Sequence, residues 1–216
     1  MTSVFGPKEL VFLLSGLKWT ILLSAIAFTG GGIAGLLVAV CRTAERAWLR
    51  RAMILYIGIF QGTPLLMQLF VVYYGLGLLG IQVPAWAAVT IAFTLNASAF
   101  LGDIWRGAIQ ALPRGQSEAA IALGLPLSSR LRDIILPQAL RIAQPATVGY
   151  AVQLIKGTSL AAIVGFIELA RAGQIVSSQT FAPILVFAVV GAIYFALCWP
   201  LSLYSARLEA KFAAAR

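Results

Sequence analysis

Five apolar stretches, each close to the length that crosses a lipid bilayer, constrain the fold of this chain more than any other feature. The hydrocarbon core of a bilayer takes about 20 apolar residues per helix. The stretches cover residues 19–40, 53–79, 84–101, 142–166 and 181–203. Hydrophobic residues make up 61% of the 216, against roughly 45–50% in soluble domains, so one small core cannot bury them. We therefore predict an all-α integral membrane protein, with residues 1–216 forming a single transmembrane domain.

The second stretch contains residues that interrupt a straight helix. Gly62 and Pro64 lie inside it, and Gly75 and Gly77 lie near its end. Proline has no backbone N–H and clashes with the preceding turn, so it kinks a helix. We expect this span to be bent and tilted, with its freed backbone carbonyls bonded by protein, water or ligand.

Lysine and arginine predict the orientation of the spans, because cytoplasmic loops carry an excess of them. Most of the 16 basic residues follow the first, third or fifth stretch. They are Arg42, Arg46, Arg50 and Arg51, then Arg106, Arg114, Arg130, Arg132 and Arg141, and finally Arg207, Lys211 and Arg216. We therefore predict an outside N-terminus, a cytoplasmic C-terminus and a cytoplasmic loop at 103–141. The net charge of +9 is spread between the spans rather than clustered, which argues against nucleic-acid binding.

Residues 1–18, ahead of the first span, include an apolar stretch bracketed by Lys8 and Lys18. This stretch is too short to cross a bilayer alone. We predict an interfacial segment on the outer face of the membrane, with Trp19 at the level of the lipid headgroups.

The sequence lacks the residues that most enzyme chemistry needs. It has no histidine, and Cys41 and Cys198 are too far apart to match a metal-binding motif. It also has no Gly-rich nucleotide-binding loop ending in Lys-Ser or Lys-Thr. We therefore expect a chain that is not an enzyme and has no metal or cofactor of its own. A transport subunit and a stand-alone carrier or channel both fit these features.

The segment EAAIALGLPLSSRLRDIILP, inside the predicted loop, predicts two short helices. Ser117 can cap a helix over residues 118–123, and Gly124 can end it in the left-handed conformation. Ser128 or Ser129 can cap a second helix through Leu131 to Ile135, which is expected to close before Pro137. The first helix is apolar on almost every side, so on a water-facing loop it needs a cover. Either the chain's own spans or a partner protein could supply that cover.

The same segment resembles the EAA loop of importer-type ABC transporter permeases. The matching residues are Glu118, Ala119 and Ala120, then Gly124, and then Ile134, Leu136 and Pro137. In that family the loop forms coupling helices that dock into a groove on the cytoplasmic ATPase subunit. The resemblance implies that the coupling residues here are Glu118, Ala119, Ala120, Ala122, Leu123, Gly124 and Leu125.

Three further stretches resemble the polar amino-acid subfamily of these permeases, which serves histidine, glutamine, glutamate, arginine, cystine and opines. They are GTPLLMQLFVVYYGL at 62–76, GDIWRGAIQALPRGQSEAA at 102–120 and LIKGTSLAAIVGFIEL at 154–169. Where that subfamily usually has Ala-Glu, this chain has Gly102-Asp103, so the carboxylate reaches one methylene less far.

The resemblance implies a type I ABC importer permease with five core spans in the bacterial inner membrane. It also implies ATP-driven import of a polar amino acid by alternating access. The implied partners are two ATPase subunits that bind ATP and Mg²⁺, a second permease subunit that is identical or homologous, and a periplasmic or lipid-anchored binding protein.

Ionisable and polar residues inside the spans are the candidate substrate contacts, because placing them in lipid is costly. Lys156 in the fourth span suits the carboxylate of an amino acid, although its ammonium could instead reach the outer headgroups. Thr158 and Ser159 follow it and could add hydroxyl donors. Gly157 would allow either a ligand or a neighbouring helix to approach.

Further candidates lie in the second and third spans and beyond the fourth. Asn96 could hold the backbone groups of a substrate or form an interhelical hydrogen bond. Thr63 and Gln68 flank the proline interruption of the second span. Asp103 is expected to pair with the arginine one helical turn on. Glu168 could cap a helix or face the outer vestibule, or it could act as a gate or as a partner for a substrate ammonium.

Overall fold

The computed structural model describes residues 5–44 and 46–213, and within these ranges every regular element is helical. We number the helices α1 Pro7–Arg42, α2 Ala47–Gly62, α3 Leu65–Leu78, α4 Ala85–Gln110, α5 Arg114–Ala122, α6 Leu127–Val164, α7 Leu169–Thr180 and α8 Pro183–Ala213. Helices α3 and α6 contain π-helical stretches at Val71–Gly75 and Arg130–Ile135, and α6 ends in 3₁₀ turns at Thr158–Val164. Helices α1, α4, α6 and α8 are long and apolar enough to cross a membrane. The pair α2 and α3 makes a fifth span if it is counted as one.

Helix α1 is continuous, so the prediction of a separate interfacial segment at 1–18 is wrong for its described part. The helix has 36 residues, about 54 Å at 1.5 Å per residue, and it passes through Lys18 without a break. It continues because its first half packs on α7. Leu13 is buried there, and a Cβ on Gly16 would lie 2.9 Å from the Cβ of Ala172. Residues 1–4 lie outside the described ranges.

The second span is broken rather than gently kinked. Helices α2 and α3 meet at an angle of 104° across Thr63 and Pro64. The predicted interruption at this proline is therefore confirmed, but the change of direction is larger than a single proline in a continuous helix produces.

Small residues bring α1 and α4 into close contact. A Cβ placed on Gly31 would overlap the Cβ of Ala97, and one placed on Gly102 would lie 2.6 Å from Val38 Cγ1. The residue numbers of the two contacts increase in the same order along both helices, so α1 and α4 run in the same direction. Two parallel helices in one membrane require the chain to cross back between them, and α2 with α3 provides that crossing.

The later spans alternate in direction. Trp105 Nε1 on α4 donates a hydrogen bond of 2.9 Å to Thr147 Oγ1 on α6, and Tyr150, further along α6, donates to Asn96, which is earlier on α4. The contacts run in opposite order along the two helices, so α4 and α6 are antiparallel. Ser205 Oγ near the end of α8 donates to the carbonyl of Pro145 at 2.8 Å, and Ile155, further along α6, packs in a cluster with Cys198, which is earlier on α8. Helices α6 and α8 are therefore also antiparallel. The three arginine-rich segments therefore lie at one end of the spans, as one cytoplasmic side requires. Arg216 lies outside the described ranges.

The loop predicted at 103–141 is mostly helix, because α4 extends to Gln110 and α6 begins at Leu127. Only α5 and its two connections lie between them. The prediction that a short helix closes before Pro137 is wrong, since α6 passes through this residue. The π-helical stretch Arg130–Ile135 precedes the proline, and a π-turn disrupts the regular ladder of backbone bonds. A residue without an N–H fits there at low cost.

Candidate functional site

Helix α5 is a short helix between two spans, with a defined start and a defined C-cap. It begins at Arg114 after Pro113, so the prediction that Ser117 caps a helix starting at 118 is wrong: the fixed backbone of Pro113 starts the helix earlier. Its predicted end is confirmed, because Gly124 has a φ of 70°. The N–H of Gly124 donates to the carbonyl of Ile121 at 2.9 Å, and that of Leu125 to Ala120 at 3.1 Å. These bonds form the glycine-terminated C-cap common at helix ends.

The apolar side chains of this segment are largely uncovered by the chain's own spans. Ala120 is 1% exposed and packs inward, but Leu123 is 77% exposed. The remaining predicted coupling residues, Glu118, Ala119, Ala122, Gly124 and Leu125, also lie at the surface. The chain's own spans therefore do not cover the apolar surface of this helix, which leaves a partner protein as the alternative.

A buried polar network lies at the break between α2 and α3. Gln68 Nε2 donates to the carbonyl of Phe60 at 2.8 Å, to the carbonyl of Thr63 at 3.1 Å and to Thr63 Oγ1 at 3.0 Å. Gln68 Oε1 accepts from Asn96 Nδ2 at 3.0 Å. Asn96 Oδ1 accepts from the Tyr150 hydroxyl at 3.0 Å. The structure thus brings three predicted residues together, Thr63, Gln68 and Asn96, and gives Asn96 its interhelical alternative.

Glu168 is a fully buried helix cap, which is the first of its predicted roles. Its carboxylate accepts from the N–H groups of Ala170 and Arg171, both at 2.8 Å, at the start of α7. The hydroxyls of Tyr194 and Thr20 donate to it at 2.9 and 3.4 Å. Burial raises the pKa of Glu168 above its ordinary value, and the four donors oppose this shift by stabilising the charged form. The carboxylate therefore joins α7 to α1 and α8.

Lys156 lies in the last α-helical turn of α6, and its side chain is exposed. It borders a cavity of about 350 Å³ whose other wall is α8, including Tyr194, Trp199 and Ser202. The ion pairs found among residues 5–44 and 46–213 do not include it. Its ammonium is therefore available to a group from outside the chain.

The residues beside Lys156 have local roles in the structure. Thr158 is fully buried and donates to the carbonyl of Ile155 at 2.7 Å, and Ser159 donates to the carbonyl of Lys156 at 2.8 Å. A Cβ on Gly157 would lie 3.4 Å from Leu65 Cδ2, so this glycine admits a neighbouring helix.

Asp103 has the partner expected for it. Arg106 Nε donates to Asp103 Oδ1 at 2.8 Å, and Arg106 Nη1 donates to Gln110 Oε1 at 2.6 Å. Both side chains of the ion pair are partly exposed. The predicted pairing one turn along the helix is confirmed.

Comparison with known proteins assigns the family. A family profile described as "Binding-protein-dependent transport system inner membrane component" matches residues 31–213. The chain belongs to this family. It is 35% identical over 202 residues to the probable amino-acid ABC transporter permease protein YckA of Bacillus subtilis, covering 94% of this chain and 89% of that one. It is 34% identical over 208 residues to the putative glutamine transport system permease protein GlnP of Rickettsia felis, covering 96% and 95% of the two chains.

Solved structures agree with this assignment. The crystal structure of an amino acid ABC transporter with histidines superposes with a TM-score of 0.86 at 32% identity, covering 94% of this chain and 95% of that one. The inward-facing MetNI methionine ABC transporter superposes with a TM-score of 0.79 at 20% identity, covering 95% and 99%, and supports the fold alone. The predicted all-α, type I importer permease fold is confirmed, and the chain is a multi-pass membrane permease.

Sequence reasoning does not identify three residues of the hydrogen-bonded groups around Asn96 and Glu168. Thr20, Tyr150 and Tyr194 carry hydroxyls in apolar spans, and each bonds to a polar group that was singled out, either Asn96 or Glu168. Their signal was present, since a buried hydroxyl needs a hydrogen-bond partner. The sequence does not say which partner each one has, because the contacts join helices far apart along the chain.

Proposed function

We propose that this chain is the permease subunit of an ATP-driven, binding-protein-dependent importer for a polar amino acid in the bacterial inner membrane. The observation that carries the proposal is the apolar segment around α5, which is exposed at the arginine-rich end of the spans. An uncovered apolar surface in water marks a contact with another protein. Relatives named as permeases for amino acids and for glutamine support an amino acid as the substrate.

The cover for α5 is a cytoplasmic ATPase subunit. Leu123 and Leu125 supply apolar contacts, and Glu118 on the same segment can meet basic or amide groups of the partner. Two such subunits bind ATP and Mg²⁺, since this chain has no nucleotide-binding loop. When they close, α5 is displaced, and its short connections pass that displacement to α4 and α6. The spans then alternate between outward and inward access.

The substrate path passes the exposed ammonium of Lys156. A lysine inside a span is costly where it faces lipid, so we place it toward a water-lined path shared with a second permease subunit, identical or homologous. The carboxylate of an amino acid, delivered by a binding protein, pairs with this ammonium. Asp103 and Glu168 already have partners within the chain and are secondary candidates.

Reconstitution into liposomes tests the proposal. The permease is assembled with ATPase subunits and a binding protein, and uptake is measured with a panel of radiolabelled amino acids. We expect uptake only with ATP inside, and ATPase activity that rises with the transported amino acid. Uptake by the permease alone, without ATP, would identify a stand-alone carrier or channel and overturn the proposal.

A further inference from the structure

The break in the second span leaves backbone carbonyls without helical partners, and Gln68 supplies them. The last carbonyls of any helix lack an N–H from a following turn, and in a membrane each unpaired one is costly. Gln68 sits in the first turns of α3 and reaches back across the break. Its Nε2 group lies 2.8 Å from the carbonyl of Phe60 and 3.1 Å from that of Thr63. Gln68 is only 8% exposed, so water has little access to these bonds.

Both ends of each amide in this network are used. Because the Gln68 amino group faces carbonyls, its oxygen must face a donor, and Asn96 Nδ2 provides that donor. The Asn96 oxygen then faces the Tyr150 hydroxyl, which can donate. The polarity therefore runs in one direction, from Tyr150 to the broken end of α2. A substrate could bind these groups only by replacing bonds that the protein already makes.

The network connects the break to both helices that flank α5. Asn96 lies about 21 Å along α4 from its end at Gln110, and Tyr150 lies about 35 Å along α6 from its start at Leu127, at 1.5 Å per residue. These two helices carry α5 between them. A displacement of α5 that shifts α4 against α6 changes the Asn96–Tyr150 contact directly.

We propose that Gln68, Asn96 and Tyr150 form a clasp that holds the 104° bend between α2 and α3 and passes movement of α5 to it. They are positioning residues rather than substrate ligands. The holding role stands on the contacts of this chain alone, whereas the transmitting role rests on the proposed importer function.

The holding role is tested by the geometry of the bend in the purified full chain in lipid nanodiscs. Spin labels are placed at Leu55 on α2 and Leu78 on α3, which are both exposed, with the two native cysteines replaced by serine. Gln68→Leu is expected to shift or broaden the distance distribution between the labels. The matched control is Gln61→Leu, an exposed glutamine of α2, and is expected to leave the distribution unchanged. An unchanged distribution in Gln68→Leu overturns the clasp.

The transmitting role is tested with Tyr150→Phe in the reconstituted complex. This variant keeps the ring that stacks on Phe100 at 5.3 Å and removes only the hydroxyl. We expect maximal uptake per ATP hydrolysed to fall several-fold with the half-saturating amino-acid concentration unchanged. Tyr204→Phe, an exposed tyrosine of α8, is the control and should match the wild type.

Two results in the complex overturn the transmitting role. One is uptake by Tyr150→Phe that equals the control, and the other is a raised half-saturating concentration with maximal uptake kept, as removal of a substrate ligand produces. If the wild-type complex takes up no amino acid, the proposed function fails, while the distance measurement still decides the holding role.

Discussion

Gly124 offers the sharpest test of the segment that we assign to ATPase contact. Its φ of 70° lies in the left-handed region, and no heavy atom lies within 4 Å of a Cβ placed on it. Gly124→Ala therefore adds a methyl group without a steric clash, so its effect comes from backbone conformation alone. The bonds that end α5, from the N–H groups of Gly124 and Leu125, are the ones at risk.

The size of the effect follows from the backbone. A residue other than glycine in the left-handed region costs roughly 1–2 kcal/mol. That cost shifts the ratio of capped to uncapped α5 by about 5- to 30-fold. A nine-residue exposed helix is marginal on its own, so a shift of this size alters how often Leu123 and Leu125 are presented in their docking positions.

Gly115 supplies a matched control inside the same helix. It is helical, exposed and free of neighbours within 4 Å of an added Cβ. Gly115→Ala is expected to stabilise α5 by about 0.5–1 kcal/mol, because alanine favours helix. The two variants therefore carry the same chemical change, one near the start of α5 and one just after its end, with opposite expected signs.

Hydrogen exchange and transport measure the two consequences. In the purified chain, amides of α5 should exchange about 5- to 30-fold faster in Gly124→Ala and more slowly in Gly115→Ala. In the reconstituted complex, uptake per ATP should fall several-fold in Gly124→Ala and be retained in Gly115→Ala. The reasoning is refuted if the two variants behave alike, or if exchange quickens while coupled uptake stays at the wild-type level.

Three further variants test other contacts. Gly31→Ala should destabilise the purified protein by about 1–3 kcal/mol, because the added methyl group overpacks α1 on α4. Gly58→Ala, where a Cβ has open space, should not destabilise it. Equal unfolding midpoints for the two variants would contradict the close packing of α1 on α4. Glu168→Ala should cost about 0.5–2 kcal/mol as a lost helix cap, measured by the same unfolding, and a neutral result would show that the cap is dispensable. Lys156→Met should raise the half-saturating amino-acid concentration for uptake, whereas Lys211→Met, at the far end of α8, should not. Unchanged uptake kinetics in both variants would show that the substrate site does not include Lys156.

Local sequence signals predicted the spans and the end of α5 well. Apolar length identifies a membrane helix, and a glycine after an apolar helical run identifies a left-handed end, as Gly124 shows. Charge predicted that the arginine-rich segments share one side, and the helix directions agree. These features depend on residues close together along the chain, so composition and spacing are sufficient to find them.

Helix boundaries set by distant contacts could not be predicted in this way. Residues 7–18 are too few to cross a bilayer, yet they extend α1 because Leu13 and Gly16 pack against α7, far along the chain. Ser117 predicts a start of α5 at residue 118, whereas the conformation of Pro113 starts this helix at Arg114. In each case a neighbouring part of the backbone, α7 or Pro113, sets the limit of the helix.

The bend in the second span depends both on the local sequence and on tertiary contacts, and the two determine different features of it. Pro64 explains why the helix cannot continue, because it has no N–H to donate. It does not explain why the angle between α2 and α3 is 104°. The unpaired carbonyls at the end of a broken helix can accept from any donor within reach, so many angles are compatible with the break. Gln68 supplies the donor, and Asn96 and Tyr150 determine which way its amide points. The sequence therefore predicts the position of the break, while the angle depends on side chains from two other spans.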